Sequence, residues 1–114
     1  MSVPKQDTLL HIAERTHWES ARASGVSYTM STLGRTLDDE GFIHCSSDLD
    51  QVDGVLGRFY GDVHRDDLAL LVVDVSRLDA PVRYEPAGDE LFPHVYGPIP
   101  ISAVIDVRAL PENR

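Results

Sequence analysis

A chain of 114 residues, 42% hydrophobic and 25% charged, has the size and composition of one globular domain that buries a core without disulfides or a structural metal. Its net charge of −9 disfavours a long nucleic-acid footprint, while leaving room for a few arginines to bind a small anion locally. The lone cysteine, Cys45, excludes an internal disulfide and a cysteine zinc site, and no apolar run approaches the roughly 20 residues of a membrane span.

The opening "MSVPKQDTLLHIAERTHW" lacks the basic and apolar regions of a secretory signal, so a cytoplasmic protein with no membrane partner is expected. A single domain is expected over 1–114, with 1–7 and 111–114 frayed. "TLLHI" reads as a first strand that places Leu9 and His11 on one face. "THWESARASG" reads as a short helix, with Thr16 and Glu19 forming a capping box and Gly25 a left-handed stop. Trp18 shares a helical face with Ala21 and Arg22, the pattern of a core anchor.

"VSYTMSTL" suits an extended segment, and "GRTLDDEG" a loop or one helical turn. "GFIHCS" then reads as a strand with Phe42, His44 and Ser46 on one face and Ile43 and Cys45 on the other. Leu49, Val52, Val55, Leu56 and Phe59 form a helical stripe behind an N-cap at Ser47 or Asp48, although Gly54 and Gly57 weaken that helix. "LALLVVDV" has the continuous apolar character of a central strand buried on both faces. Val82 to Glu85 reads as a brief strand, the residues after Glu85 as a loop rich in proline, glycine and aromatics, and "ISAVIDVRAL" as a last strand. The order of elements points to an α+β fold rather than regular βαβ units.

Chemistry concentrates in two places. His44 and Ser46 share a strand face, which leaves Cys45 pointing away as a small buried hydrophobe rather than a nucleophile served by His44. A hydrolase built on Ser46 or Ser47 lacks a G-x-S-x-G elbow, and a metal site from His11, His44 and His94 lacks the local pairings that mark such sites. "YEPAGDELFPHVYGPIP" gathers Glu85, Glu90, Phe92, His94 and Tyr96, a mixture suited to stacking a ring and hydrogen-bonding a sugar or phosphate, or to plugging the core.

With "LLHI", "GFIHCS", "LALLVVDV" and "LFPHVYGPIPISAV" in this order, the chain resembles the domain of unknown function 952 family over nearly its whole length. The resemblance implies a small ADP-ribosyltransferase-like fold: α+β, with two small mostly antiparallel sheets around a cleft and flanking helices. It implies NAD as ligand or substrate, His11 at the first site position, His44 and Ser46 at the second, and Glu85 or Glu90 as the carboxylate. No E-x-E or Q-x-E turn accompanies that carboxylate.

The expected site therefore has Glu85 and His44 as catalytic residues and His11, Trp18, Ser46, Phe92, His94 and Tyr96 as ligand-binding residues. Its ligand is expected to be a nucleotide or NAD-like small molecule, with ADP-ribosyl-type transferase or glycohydrolase chemistry. The competing expectation is a non-enzymatic interaction module whose polar residues form a structural network.

Overall fold

The first strand, β1 (Thr8–Glu14), runs without a loop into the helix α1 (Arg15–Ser24) in the computed structural model, which describes residues 7–110. The expected frayed ends lie outside the described residues, apart from Asp7. The direct join also displaces the expected capping box. Thr16 is already inside the first turn, and Glu14 takes the N-cap position with no side-chain cap. Arg15 instead ties the junction down, donating to the Asp66 and Leu68 carbonyls at 3.0 Å. The other end behaves as read, because Gly25 adopts φ 73 and its N–H reaches the Ala21 and Arg22 carbonyls.

A four-residue helix, α2 (Leu37–Glu40), fills the expected helical turn, closed by a capping box between Thr36 and Asp39. Gly41, at φ 84, turns the chain from it into β2 (Ile43–His44). Helix α3 (Leu49–Phe59) comes next, capped by Asp48, whose carboxylate accepts from the Gln51 N–H. Its inner stripe narrows to Val52, Val55 and Leu56, while Leu49 and Phe59 are exposed.

The strand β3 (Leu68–Asp74) is central, as its apolar run requires, with β1 and β6 (Val104–Arg108) antiparallel on either side. Its alternate residues feed two cores. Ala69, Leu71 and Val73 join Leu9, Ala13, Trp18, Tyr28, Ile43, Cys45 and Val95 in one. Leu68 and Leu70 join Ile12, Val52, Val55, Leu56 and Phe92 in the other. Burying both faces of β3 is the main reason its composition lacks polar alternation.

The second sheet has the order β2, β5 (Glu90–Val95), β4 (Val82–Ala87), again antiparallel. Here the expectation of a loop after Glu85 is corrected, since β4 extends to Ala87 and residues 90–95 form the middle strand. Pro93 obscured it, because proline cannot donate to a ladder. The Pro93 carbonyl accepts from Cys45 N–H on the side of β2, so its missing donor falls just where that two-residue strand ends.

A backbone bridge joins the first sheet to the end of β2: Leu10 and Ser46 exchange hydrogen bonds of 2.9 and 2.7 Å. The shared core fills the space between the sheets. The architecture is a small α+β fold with two antiparallel sheets. Among the described residues no helix is long and apolar enough to cross a membrane.

Candidate functional site

Strand alternation in the second sheet sorts side chains onto two faces. Ile43, Cys45 and Val95 enter the core, and burial pushes the Cys45 thiol up to about 12, far from a reactive thiolate. Phe42, His44, Phe92 and His94 take the opposite face and line an open cleft of about 540 Å³. Val55, Arg58 and Phe59 of α3 form the facing wall, and Thr32, Leu33, Arg35 and Glu40 form the rim. The expected cleft between the sheets is corrected accordingly: that space is packed core, and the open volume lies between the second sheet and α3.

His44 reaches this cleft in a neutral state. Burial, reinforced by nearby His94, lowers its pKa from 6.5 to about 4. Its backbone N–H donates to the Ser31 hydroxyl at 3.0 Å, and that hydroxyl in turn donates to Glu40. Glu40 also accepts from the Thr32 N–H at 3.2 Å. Burial pushes the Glu40 pKa upward, but these hydrogen bonds and the nearby Arg35 charge outweigh it and hold the carboxyl below its ordinary range. The cleft thus contains an ionised carboxylate beside a neutral imidazole.

Glu85 stands one side chain back from the cleft. Its carboxylate accepts from Tyr96 Oη and lies 2.8 Å from His94 Nδ1, and these two contacts lower its pKa. Phe42 stacks on the His94 ring at 3.9 Å between centroids, 9° from parallel. Tyr96 in turn lies under the Arg83 guanidinium, 4.9 Å from its ring centre.

The remaining expected site residues lie elsewhere. His11 is 2% exposed, and both ring nitrogens have partners: Nδ1 is 2.6 Å from the His44 carbonyl and Nε2 is 2.9 Å from Tyr28 Oη. Because a carbonyl only accepts, Nδ1 carries the proton and Nε2 accepts from the tyrosine. Burial lowers the His11 pKa to about 4. Ser46 is buried beside His11 and His44 in a cavity of about 10 Å³, too small for a nucleotide. Trp18 packs in the core near Tyr28, with ring centres 6.4 Å apart, and does not line the cleft. Exposed Glu90 has its carboxylate 3.4 Å from Gln51 Nε2 and is not a cleft wall either.

Sequence reasoning missed Glu40, Arg35, Arg58 and Phe59. The first two belong to a segment read only as a turn, and the last two to a helix read only for its apolar stripe. Neither guanidinium makes a hydrogen bond or ion pair among the described residues. No three histidine, cysteine or carboxylate side chains converge as metal ligands among the described residues.

The family model for "Protein of unknown function (DUF952)" matches residues 12–107, and the chain belongs to that family. No curated protein matches it. Among solved structures it is similar to the X-ray structure of CC0527 from Caulobacter crescentus, with a TM-score of 0.72 at 25% identity, covering 91% of this chain and 86% of that one. The solution NMR structure of CC0527 gives a TM-score of 0.68 at 26% identity, covering 92% and 85%. The fold is shared over nearly the whole length of both chains.

Proposed function

We propose that the cleft binds a nucleotide-like small molecule of the NAD or ADP-ribose class: a flat ring, a ribose and an anionic group. One observation carries this reading. In a chain of net charge −9, two arginines without ion-pair partners among the described residues, Arg35 and Arg58, line the same cleft as Phe42, Phe59 and Phe92. Guanidinium groups suit phosphate oxygens, and aromatic faces suit a base or nicotinamide. Neutral His44 offers hydrogen bonds to ribose without adding charge.

The same wall suits ADP-ribosyl-type transfer or NAD glycohydrolysis. When the ribosyl bond breaks, positive charge develops on the sugar, and a fixed carboxylate stabilises it. Ionised Glu40 lines the cleft and fills that role, whereas Glu85 acts through His94. The family resemblance to an ADP-ribosyltransferase-like fold supports the same ligand class. The alternative, a polar network that holds the sheets together, is favoured for His11, whose two nitrogens are both engaged within the protein.

Calorimetric titration with ADP-ribose tests the reading. Wild-type protein is expected to bind, and Arg35→Ala and Arg58→Ala each to weaken binding about tenfold or more, as loss of a charge-assisted hydrogen bond implies. A wild-type protein that stays silent at millimolar ADP-ribose and NAD would sink the proposal.

A further inference from the structure

The imidazole of His94 is held by Glu85 at one edge and by Phe42 on one face. Ionised Glu85 is an acceptor, so His94 Nδ1, 2.8 Å away, carries the proton and donates it. Tyr96 Oη donates to the same carboxylate oxygen and fixes it from the other side. Phe42 covers one ring face, and the His44 ring centre lies 5.3 Å away.

This arrangement selects the tautomer of the neutral ring. In that neutral tautomer Nε2 carries a lone pair, and the atom is buried without a hydrogen-bond partner among the described residues. The side chain is 9% exposed and forms part of the cleft wall. Nε2 lies across the ring from Glu85, which does not line the cleft. A buried acceptor without a donor is costly, and folded proteins leave few of them.

We propose that His94 Nε2 accepts a hydrogen bond from a ribose hydroxyl of the ligand, with Glu85 and Tyr96 as positioning residues that fix its tautomer. The inference rests on the nucleotide reading of the cleft and adds its selectivity: a sugar that retains its 2′ and 3′ hydroxyls is preferred over one that lacks them. A site built to pair a hydroxyl discriminates strongly against the analogue without it, because the buried partner is then left unmet.

The test compares AMP with 2′,3′-dideoxy-AMP, by affinity and by the imidazole nitrogen spectrum of labelled protein. The free protein is expected to show His94 protonated at Nδ1 and bare at Nε2. AMP is expected to shift the Nε2 signal and to bind about tenfold tighter than the dideoxy analogue. Glu85→Gln is expected to shrink that ratio, a readout that mere destabilisation would not move. Equal affinities for the two nucleotides overturn the inference and leave the nucleotide site standing. A proton found on Nε2 of the free protein overturns it whatever binds. Wild-type protein that binds neither nucleotide overturns the inference, and the site falls with it only if ADP-ribose and NAD stay silent as well.

Discussion

A methyl group at position 97 has no room: a Cβ built on Gly97 falls 2.6 Å from Ala80 Cβ, closer than two carbons can pack. Gly97→Ala is therefore expected to destabilise the fold by about 1–3 kcal/mol in urea melts, with part of the loss recovered by adding Ala80→Gly. An unchanged midpoint would contradict that contact. Tyr28→Phe is expected to cost about 1–3 kcal/mol, because it leaves His11 Nε2 buried without its donor. Buried His11 and half-buried His44 also set an acid limit. Above pH 6.5 both are neutral whether folded or unfolded, and their contribution to stability is fully present. Between 6.5 and about 4 the unfolded chain takes up protons that the folded chain refuses, so stability falls as pH is lowered. The slope is up to about 1.4 kcal/mol per pH unit for each imidazole. Urea midpoints that stay level across that window would contradict the buried, neutral assignment.

At the scale of elements, α3 is held by packing more than by propensity. Gly54 and Gly57 face open space with ordinary helical backbone, so Gly54→Ala and Gly57→Ala are each expected to raise stability by about 0.5–1 kcal/mol. A lower thermal midpoint in either variant would contradict that account. The elements differ in how legible they were. β3 stood out because six successive buried residues leave no other reading of so long an apolar run. α3 was legible from its stripe and its Asp48 cap, and α1 from Trp18 and Gly25. β5 was not, because its proline argues against a strand, and only the shortness of β2 makes that proline tolerable. The capping signature was ambiguous for a similar reason: it occurs after Thr16 and after Thr36, and tertiary context decides that only Thr36 caps.

For the molecule as a whole, the candidate site is half visible in sequence. "GFIHCS" and "FPHVYG" mark His44, Phe92, His94 and Tyr96 because polar and aromatic groups interrupt strand-like segments. The facing half comes from the 32–35 turn, α2 and α3, and no local pattern reveals that Glu40, Arg35 and Arg58 meet those histidines across the cleft. Conversely His11, Ser46 and Trp18 carry suggestive chemistry but are absorbed by hydrogen bonding and packing within the protein. Overall charge is also a poor guide, since the two guanidinium groups at the cleft are set in a chain of net charge −9. We propose the open face of the second sheet, and not the space between the sheets, as the binding surface. Backbone amide chemical-shift mapping with ADP-ribose tests it most directly. Saturable shifts are expected at Thr32, Arg35, Glu40, Phe42, His44, Arg58 and His94, with Trp18 and Cys45 unmoved; shifts centred on β1 and α1, or none at millimolar ligand, would overturn this placement.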